Sequence, residues 1–139
     1  MATLKRVEWP ESRENLINDL KSLSDLDYQK KVWCTDNRPY GITNELDYIC
    51  NDSDPLDGDA EEVQKYLGLI LRSVDEANIL VPLIKALDKI NKDVGSGKKN
   101  EEYLSSPLWD ELLKSAKVAY NVLQKGDKEA HHENTKGEL

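Results

Sequence analysis

Between Ser73 and Val94 the chain carries a run whose apolar residues return every three or four positions. Ile79, Leu80, Leu83, Ile84, Leu87, Ile90 and Val94 share one face of an α-helix at that spacing. Val81 and Ala86 widen the face, so the first half of the run is apolar almost all round. Such a helix has to be covered on several sides, which makes it the centre of a helical domain. Ser73 and Glu76 read as a capping box: the hydroxyl takes a free amide at the helix start and the carboxylate reaches back. Pro82 lacks an N–H and crowds the carbonyl four residues before it, which predicts a kink near Asn78–Val81 or a break into two helices. Gly95 and Gly97 end the element.

The flanking sequence supplies what covers it. Residues 1–9 read as a loose arm. Pro10 opens a helix whose stripe is Leu16, Ile17, Leu20 and Leu23. Ser24-Asp25 is a cap and turn, and a second helix follows from Leu26 to Cys34, with Leu26, Val32 and Trp33 inward and Tyr28 beside them. Asp36 to Gly41 is a loop by its turn residues. Thr43 or Asn44 caps a short helix carrying Leu46, Ile49 and Cys50, with Tyr48 alongside. Asp59 caps another, with Val63, Tyr66, Leu67, Ile70 and Leu71 facing in.

After the central helix, Asn100 starts a short turn, and Ser106-Pro107 starts the last helix. That helix runs to about Gln124, with Leu108, Leu112, Leu113, Ala116, Ala119, Tyr120 and Leu123 inside and Gly126 as its stop. The tail from Asp127 to Leu139 has no apolar periodicity and reads as disordered. No stretch alternates long enough for a sheet; Arg38–Ile42 is a short extended piece at most. The expected fold is all-α: one helical bundle of about five to seven helices around a buried central helix, with an acidic loop exposed. The helical domain spans residues 10–125, between a flexible arm (1–9) and a polar tail (126–139).

Charge limits the function. Nineteen basic against 27 acidic residues leave a net charge of −8 in 139 residues. Nucleic-acid binding needs a basic footprint to displace counterions, so DNA and RNA are disfavoured as partners, and anionic membranes with them. A basic protein partner reached by electrostatic steering is favoured. The start of the chain has no apolar core of signal-peptide length, and no run approaches the ~20 apolar residues of a membrane helix; the expected compartment is the cytoplasm. Cys34 and Cys50 fit two small buried side chains better than a disulfide, and their spacing matches no zinc or redox motif.

The sharpest chemical signal is the segment Asn51 to Glu62, which holds Asp52, Asp54, Asp57, Asp59, Glu61 and Glu62 and no basic residue. An EF-hand loop needs oxygen ligands at its first, third and fifth positions and glycine at the sixth. Counting from Asp52 puts Leu56 fifth and Asp57 sixth, so calcium does not fit. Two readings remain level: a solvated loop whose carboxylates favour the next helix's N-terminus, and a docking surface for a basic partner. In the second reading Trp33, Asp36 and Tyr40 in the neighbouring loop add an aromatic centre to the acidic rim. His131 and His132 are adjacent in the tail and are poor zinc ligands or general bases. Ser105 and Ser106 have no histidine nearby, neither cysteine has a base partner, and Gly95-Ser-Gly-Lys-Lys lacks the spacing of a phosphate loop. No enzyme activity, cofactor or metal is expected.

Three fragments are informative together: Asp27-Tyr28-Gln29-Lys30-Lys31-Val32-Trp33, Ile49-Cys50-Asn51-Asp52 before the acidic loop, and Tyr103-Leu104-Ser105-Ser106-Pro107-Leu108-Trp109. They resemble a family of small helical bacterial proteins, best represented in actinobacteria, with Tyr-Gln-x-x-Val-Trp and Tyr-Leu-x-x-Pro-x-Trp segments. The likeness covers roughly Leu16 to Leu123 and implies a helical fold. In size, acidity and lack of catalytic signature the chain is also similar to immunity proteins of bacterial toxin systems, including contact-dependent growth inhibition. That likeness is one of character and transfers no residues. It implies a protein that covers the cleft of a basic toxin, a nuclease above all. The alternative is a regulatory or small-ligand-binding helical protein without enzyme activity.

Overall fold

The computed structural model describes residues 3–33, 54–95 and 100–138, without the side chains of Trp33, Asn100 and residues 131–138. Six helical elements follow one another among them. These are α1 (Pro10–Leu23), α2 (Leu26–Tyr28, continuing as a π turn Gln29–Trp33), α3 (a 3-10 helix, Ala60–Tyr66), α4 (Val74–Val94), α5 (Asn100–Leu104) and α6 (Trp109–Glu138). The described residues contain no strand, only one isolated bridge between Leu67 and Leu71. The fold is all-α, as the periodicity requires.

The central run is α4. Ser73 Oγ accepts the Glu76 N–H, the first half of the predicted capping box. Leu80, Leu83, Ile84, Ala86, Leu87 and Ile90 are buried. The helix packs on α6, on α3 and, at its far end, on α5. Pro82 neither splits nor ends it. Pro82 and Asn78 both lie on the exposed side, where the carbonyl freed by the missing N–H can be hydrated. Gly95 ends the helix at φ 100°, a backbone region that favours glycine.

The longest element is α6, and it is shared: α1 packs on one side of it and α4 on another. Leu112, Ala116, Ala119 and Leu123 form its buried stripe, with Leu108, Leu113 and Tyr120 packed against the core. Ser106 Oγ accepts the Leu108 N–H in a turn that leads into the helix, but the helix starts at Trp109, so Ser106 and Pro107 stand before it and not at its N-cap and first position as expected. The expected stop at Gly126 is not taken. Gly126 is buried inside a continuous helix, Asp127 is engaged in ion pairs and Ala130 is 2 % exposed. A polar tail without apolar period was expected to lie free. Its first turn is held by charge instead.

The N-terminal arm also differs from its expectation. The Leu4, Glu8 and Trp9 N–H groups donate to the carbonyls of Arg72, Gly68 and Leu69. Arg72 Nη1 in turn donates to the Leu4 and Lys5 carbonyls. Backbone pairing of this kind needs no apolar pattern, which is why periodicity missed it.

Two inward assignments change. In α2, Tyr28 and Val32 are 41 % and 45 % exposed, while Gln29 is fully buried. Val32 lies six residues from Leu26, about 240° round a helix, whereas Gln29 lies three away and shares Leu26's face. After α3, Leu67 is 36 % exposed because the helix stops at Tyr66. The Leu69, Ile70 and Leu71 N–H groups all donate to the Tyr66 carbonyl, and Gly68 at φ 86° closes this turn. Ile70 and Leu71 reach the core through it. Cys34, the Asp36–Gly41 loop, the Arg38–Ile42 piece and the short helix predicted after Thr43, with Cys50, lie outside the described residues.

Candidate functional site

Of the residues expected to form the docking surface, Asp36, Tyr40 and Asp52 lie outside the described residues, as does the side chain of Trp33. The rest are brought together by α3 and the turn before it. A turn from Pro55 to Gly58 is closed by the Gly58 N–H donating to the Pro55 carbonyl. Asp57, Asp59, Glu61 and Glu62 are exposed, and Asp54 is half-buried. Leu56 and Val63 are buried and anchor this acidic ledge on the core, and α3 packs along α4.

The ledge is not a bare row of carboxylates. Tyr66 donates to Asp54 Oδ1 over 3.4 Å, a long hydrogen bond. Burial, then the charge of Asp54, pushes the Tyr66 phenol above its ordinary range. Lys65 Nζ pairs with Glu62 Oε2 at 2.9 Å and sits 5.5 Å from the Tyr66 ring centroid. The hydrogen bond and charge of Lys65 hold the Glu62 carboxyl below the usual range. Both side chains are more than half exposed, so the pair adds little stability. Asp59 stands at the N-cap of α3 but makes no side-chain cap hydrogen bond. A groove of ≈ 500 Å³ separates the ledge from α4, with Asp57, Asp59 and Glu61 on one wall and Lys85, Asp88 and Lys92 on the other. Lys92 pairs with Asp88 at 2.9 Å. Among the described residues no three His, Cys, Asp or Glu side chains are placed to hold a metal ion.

A second polar constellation was not legible in the sequence, and it lies in the core. Arg13 is 3 % exposed and Glu76 is 1 % exposed. Their side chains meet in a two-pronged pair, Nη1 to Oε1 at 2.8 Å and Nη2 to Oε2 at 2.9 Å. Arg13 also donates from Nη1 to the Ile70 carbonyl, from Nη2 to the Leu123 carbonyl and from Nε to Asp127 Oδ1. A guanidinium has five N–H donors, and all are used. Burial alone would make the charged guanidinium less favourable; pairing with Glu76 and Asp127 outweighs it, and the net effect raises the Arg13 pKa. Asp127 Oδ1 accepts as well from Arg72 Nε at 2.7 Å, and the Arg72 N–H donates to Glu76 Oε1. The Glu76 carboxylate thus reaches back past Ser73 to Arg72, one residue beyond a capping box.

This cluster ties α1, the start of α4, the turn after α3 and the C-terminal half of α6 to one another. Gly126 belongs to it: a Cβ there would run into Glu76 Oε2, with Arg13 Nη2 just beyond. The available signals were an arginine inside the apolar stripe of α1, three residues before Leu16, and a glycine-aspartate step within a helical pattern.

A third contact explains the aromatic fragments. Trp109 Nε1 donates to Gln29 Oε1 at 2.9 Å, and Gln29 Nε2 donates to the Ser22 carbonyl at 2.7 Å. Tyr103 donates to the Gly95 carbonyl at 2.6 Å. The Tyr-Gln-x-x-Val-Trp and Tyr-Leu-x-x-Pro-x-Trp segments therefore meet through Gln29 and Trp109 inside the protein. Both residues build the fold.

Residues 7–131 match the model of a family described as Domain of unknown function (DUF7945). The chain belongs to this family. No curated protein and no solved structure matches it. The matched span takes in both the Arg13–Glu76–Asp127 cluster and the Gln29–Trp109 pair. The ledge falls inside it too. In the core cluster every donor of the guanidinium is taken. The ledge, by contrast, turns most of its charge to solvent.

Proposed function

We propose that the chain is a binding module without enzyme activity: a cytoplasmic immunity protein that neutralises a cognate bacterial toxin, a basic nuclease in particular, by covering its active cleft. The observation that carries this reading is the outward set Asp57, Asp59, Glu61 and Glu62, presented on a loop and short helix seated against α4. A nuclease cleft is basic because it holds phosphates. An acidic surface on a rigid base steers toward such a cleft and mimics the charge it is built for. A net charge of −8 adds a long-range field of the same sign.

The test is co-purification with the product of the neighbouring gene, followed by association kinetics. The triple variant Asp57→Asn/Asp59→Asn/Glu61→Gln changes exposed positions only and should keep the wild-type melting temperature. It should associate more slowly at low salt, with the two rates converging as salt rises. Equal rates at both salts would remove the ledge from the interface.

The groove beside the ledge favours a second reading, a small-ligand-binding regulatory protein. Its volume of ≈ 500 Å³ lies in the range of ligand sites. A ligand screen by thermal shift separates the two, because only this reading predicts stabilisation by a small molecule in the absence of a protein partner.

A further inference from the structure

The outer face of α6 carries the opposite charge to the ledge. Lys114, Lys117, Lys125 and Lys128 are all exposed. At about 100° per residue they fall, with Asn121, inside a stripe about 80° wide and about 21 Å long. None of the four lysines forms an ion pair with the described residues. The one acid within that span, Asp127, is turned inward to Arg13 and Arg72. Lys114 with Lys117 and Lys125 with Lys128 are like charges three residues apart on the helix, a cost that an anionic partner would lessen.

An apolar seam runs along one edge of this stripe. Val118 is 47 % exposed, the most exposed large apolar side chain among the described residues. Val122, one turn further, is half-buried and lines a groove of ≈ 440 Å³ between α6 and α4, together with Ile79. Lys125 stands on one side of this groove and Asp75 on the other. A broad polyanion, such as a duplex or a membrane, would bring its charge against Asp75 and against Glu129 as well. A slender element with one apolar side and one acidic flank would not.

We propose that this face docks an amphipathic helical segment of a partner protein, its apolar side on Val118, Val122 and Ile79 and its acidic flank on the lysine stripe. The mode is a helix laid in a shallow groove, with apolar anchors supplying affinity and the charged flank supplying rate and orientation. The surface is separate from the ledge, since the two grooves share no lining residue. The inference therefore stands independently of the toxin reading.

The experiment uses the full chain and a fluorescent helical peptide of about 18 residues, with leucines at helical spacing and glutamates on the flanks. Controls are the same peptide with lysine for each glutamate, a single-stranded oligo-dT and phosphatidylglycerol vesicles. The glutamate peptide should bind, and the lysine peptide, the oligonucleotide and the vesicles should bind at least about tenfold more weakly. Changing Lys114, Lys117, Lys125 and Lys128 together to Gln should weaken peptide binding by about tenfold or more, and Val118→Asp should do so alone. Changing Lys85 and Lys89 on α4 to Gln should leave it unchanged. Circular-dichroism melts of every variant establish that the fold is kept. Failure of the glutamate peptide to bind would overturn the proposal. So would equal binding of the oligonucleotide or vesicles, or an unaffected Val118→Asp variant.

Discussion

Gly126 sits in the middle of a helix, where alanine is ordinarily better by about 1 kcal/mol. Here the sign should reverse. The methyl group of Gly126→Ala would meet a Glu76 carboxylate that Arg13 and Arg72 hold in place, so it cannot swing aside. The expected outcome is a destabilisation of about 1–3 kcal/mol, the usual effect of overpacking, read as a lower urea midpoint. A raised midpoint would mean that the contact with Glu76 is loose. Arg13 carries more. Arg13→Met leaves Glu76 buried with its main partner gone and frees two carbonyls, so a loss of about 3–5 kcal/mol is expected. The double variant Arg13→Met/Glu76→Leu should recover part of that loss, because the unpaired charge is then absent. A double variant no more stable than the single would place the effect in packing.

At the scale of elements, α3 and its turn join the exposed carboxylates to the core, and Tyr66 is the link that titrates. Its phenol is pushed up by burial and by Asp54. A group whose pKa is raised on folding contributes stability that is complete below its unfolded pKa, about 10 for tyrosine, and that is lost as pH rises through the folded value. Wild type should therefore lose stability above about pH 10 more steeply than Tyr66→Phe, which has no phenol to ionise. Chemical denaturation across that alkaline range checks it; parallel curves would refute the assignment. Neighbouring elements show how polar side chains set inward faces. In α2 it is Gln29 that turns in, because the indole N–H of Trp109 needs an acceptor there. Hydrophobic spacing alone had put Val32 in that role.

At the scale of the whole molecule, the N-terminal arm and the C-terminal half of α6 converge on one cluster. The arm pairs with Gly68–Arg72, Arg72 grips the arm's carbonyls, and Asp127 in the C-terminal half of α6 accepts from Arg72 and Arg13 together. Deleting Asp127 to Leu139 should therefore lower stability by at least about 2 kcal/mol, since hydrogen bonds to charged groups contribute about 1.5–3 kcal/mol each. Asp127→Asn, which keeps one acceptor oxygen but loses the charge, should fall between the truncation and wild type. Thermal melts that leave the truncated chain unchanged would show that the arginines find other partners.

The central helix, its start at Ser73, its end at Gly95 and the buried stripes of α1 and α6 were determined by the sequence itself. Apolar spacing and capping chemistry are local, so they can be read along a line. The acidity of the ledge was equally plain, because charge is additive and needs no coordinates. What only the tertiary structure decided is where buried polar groups find one another. Arg13, Glu76 and Asp127 are far apart in the chain, and the local signals, an arginine within the α1 stripe and a glycine-aspartate step in a helical pattern, do not say which partner each one meets. The same holds for Gln29 with Trp109 and for an arm held by backbone hydrogen bonds. A buried charge is tolerated only when its partners are in place, and those partners are brought to it by the packing of helices that apolar periodicity had already specified.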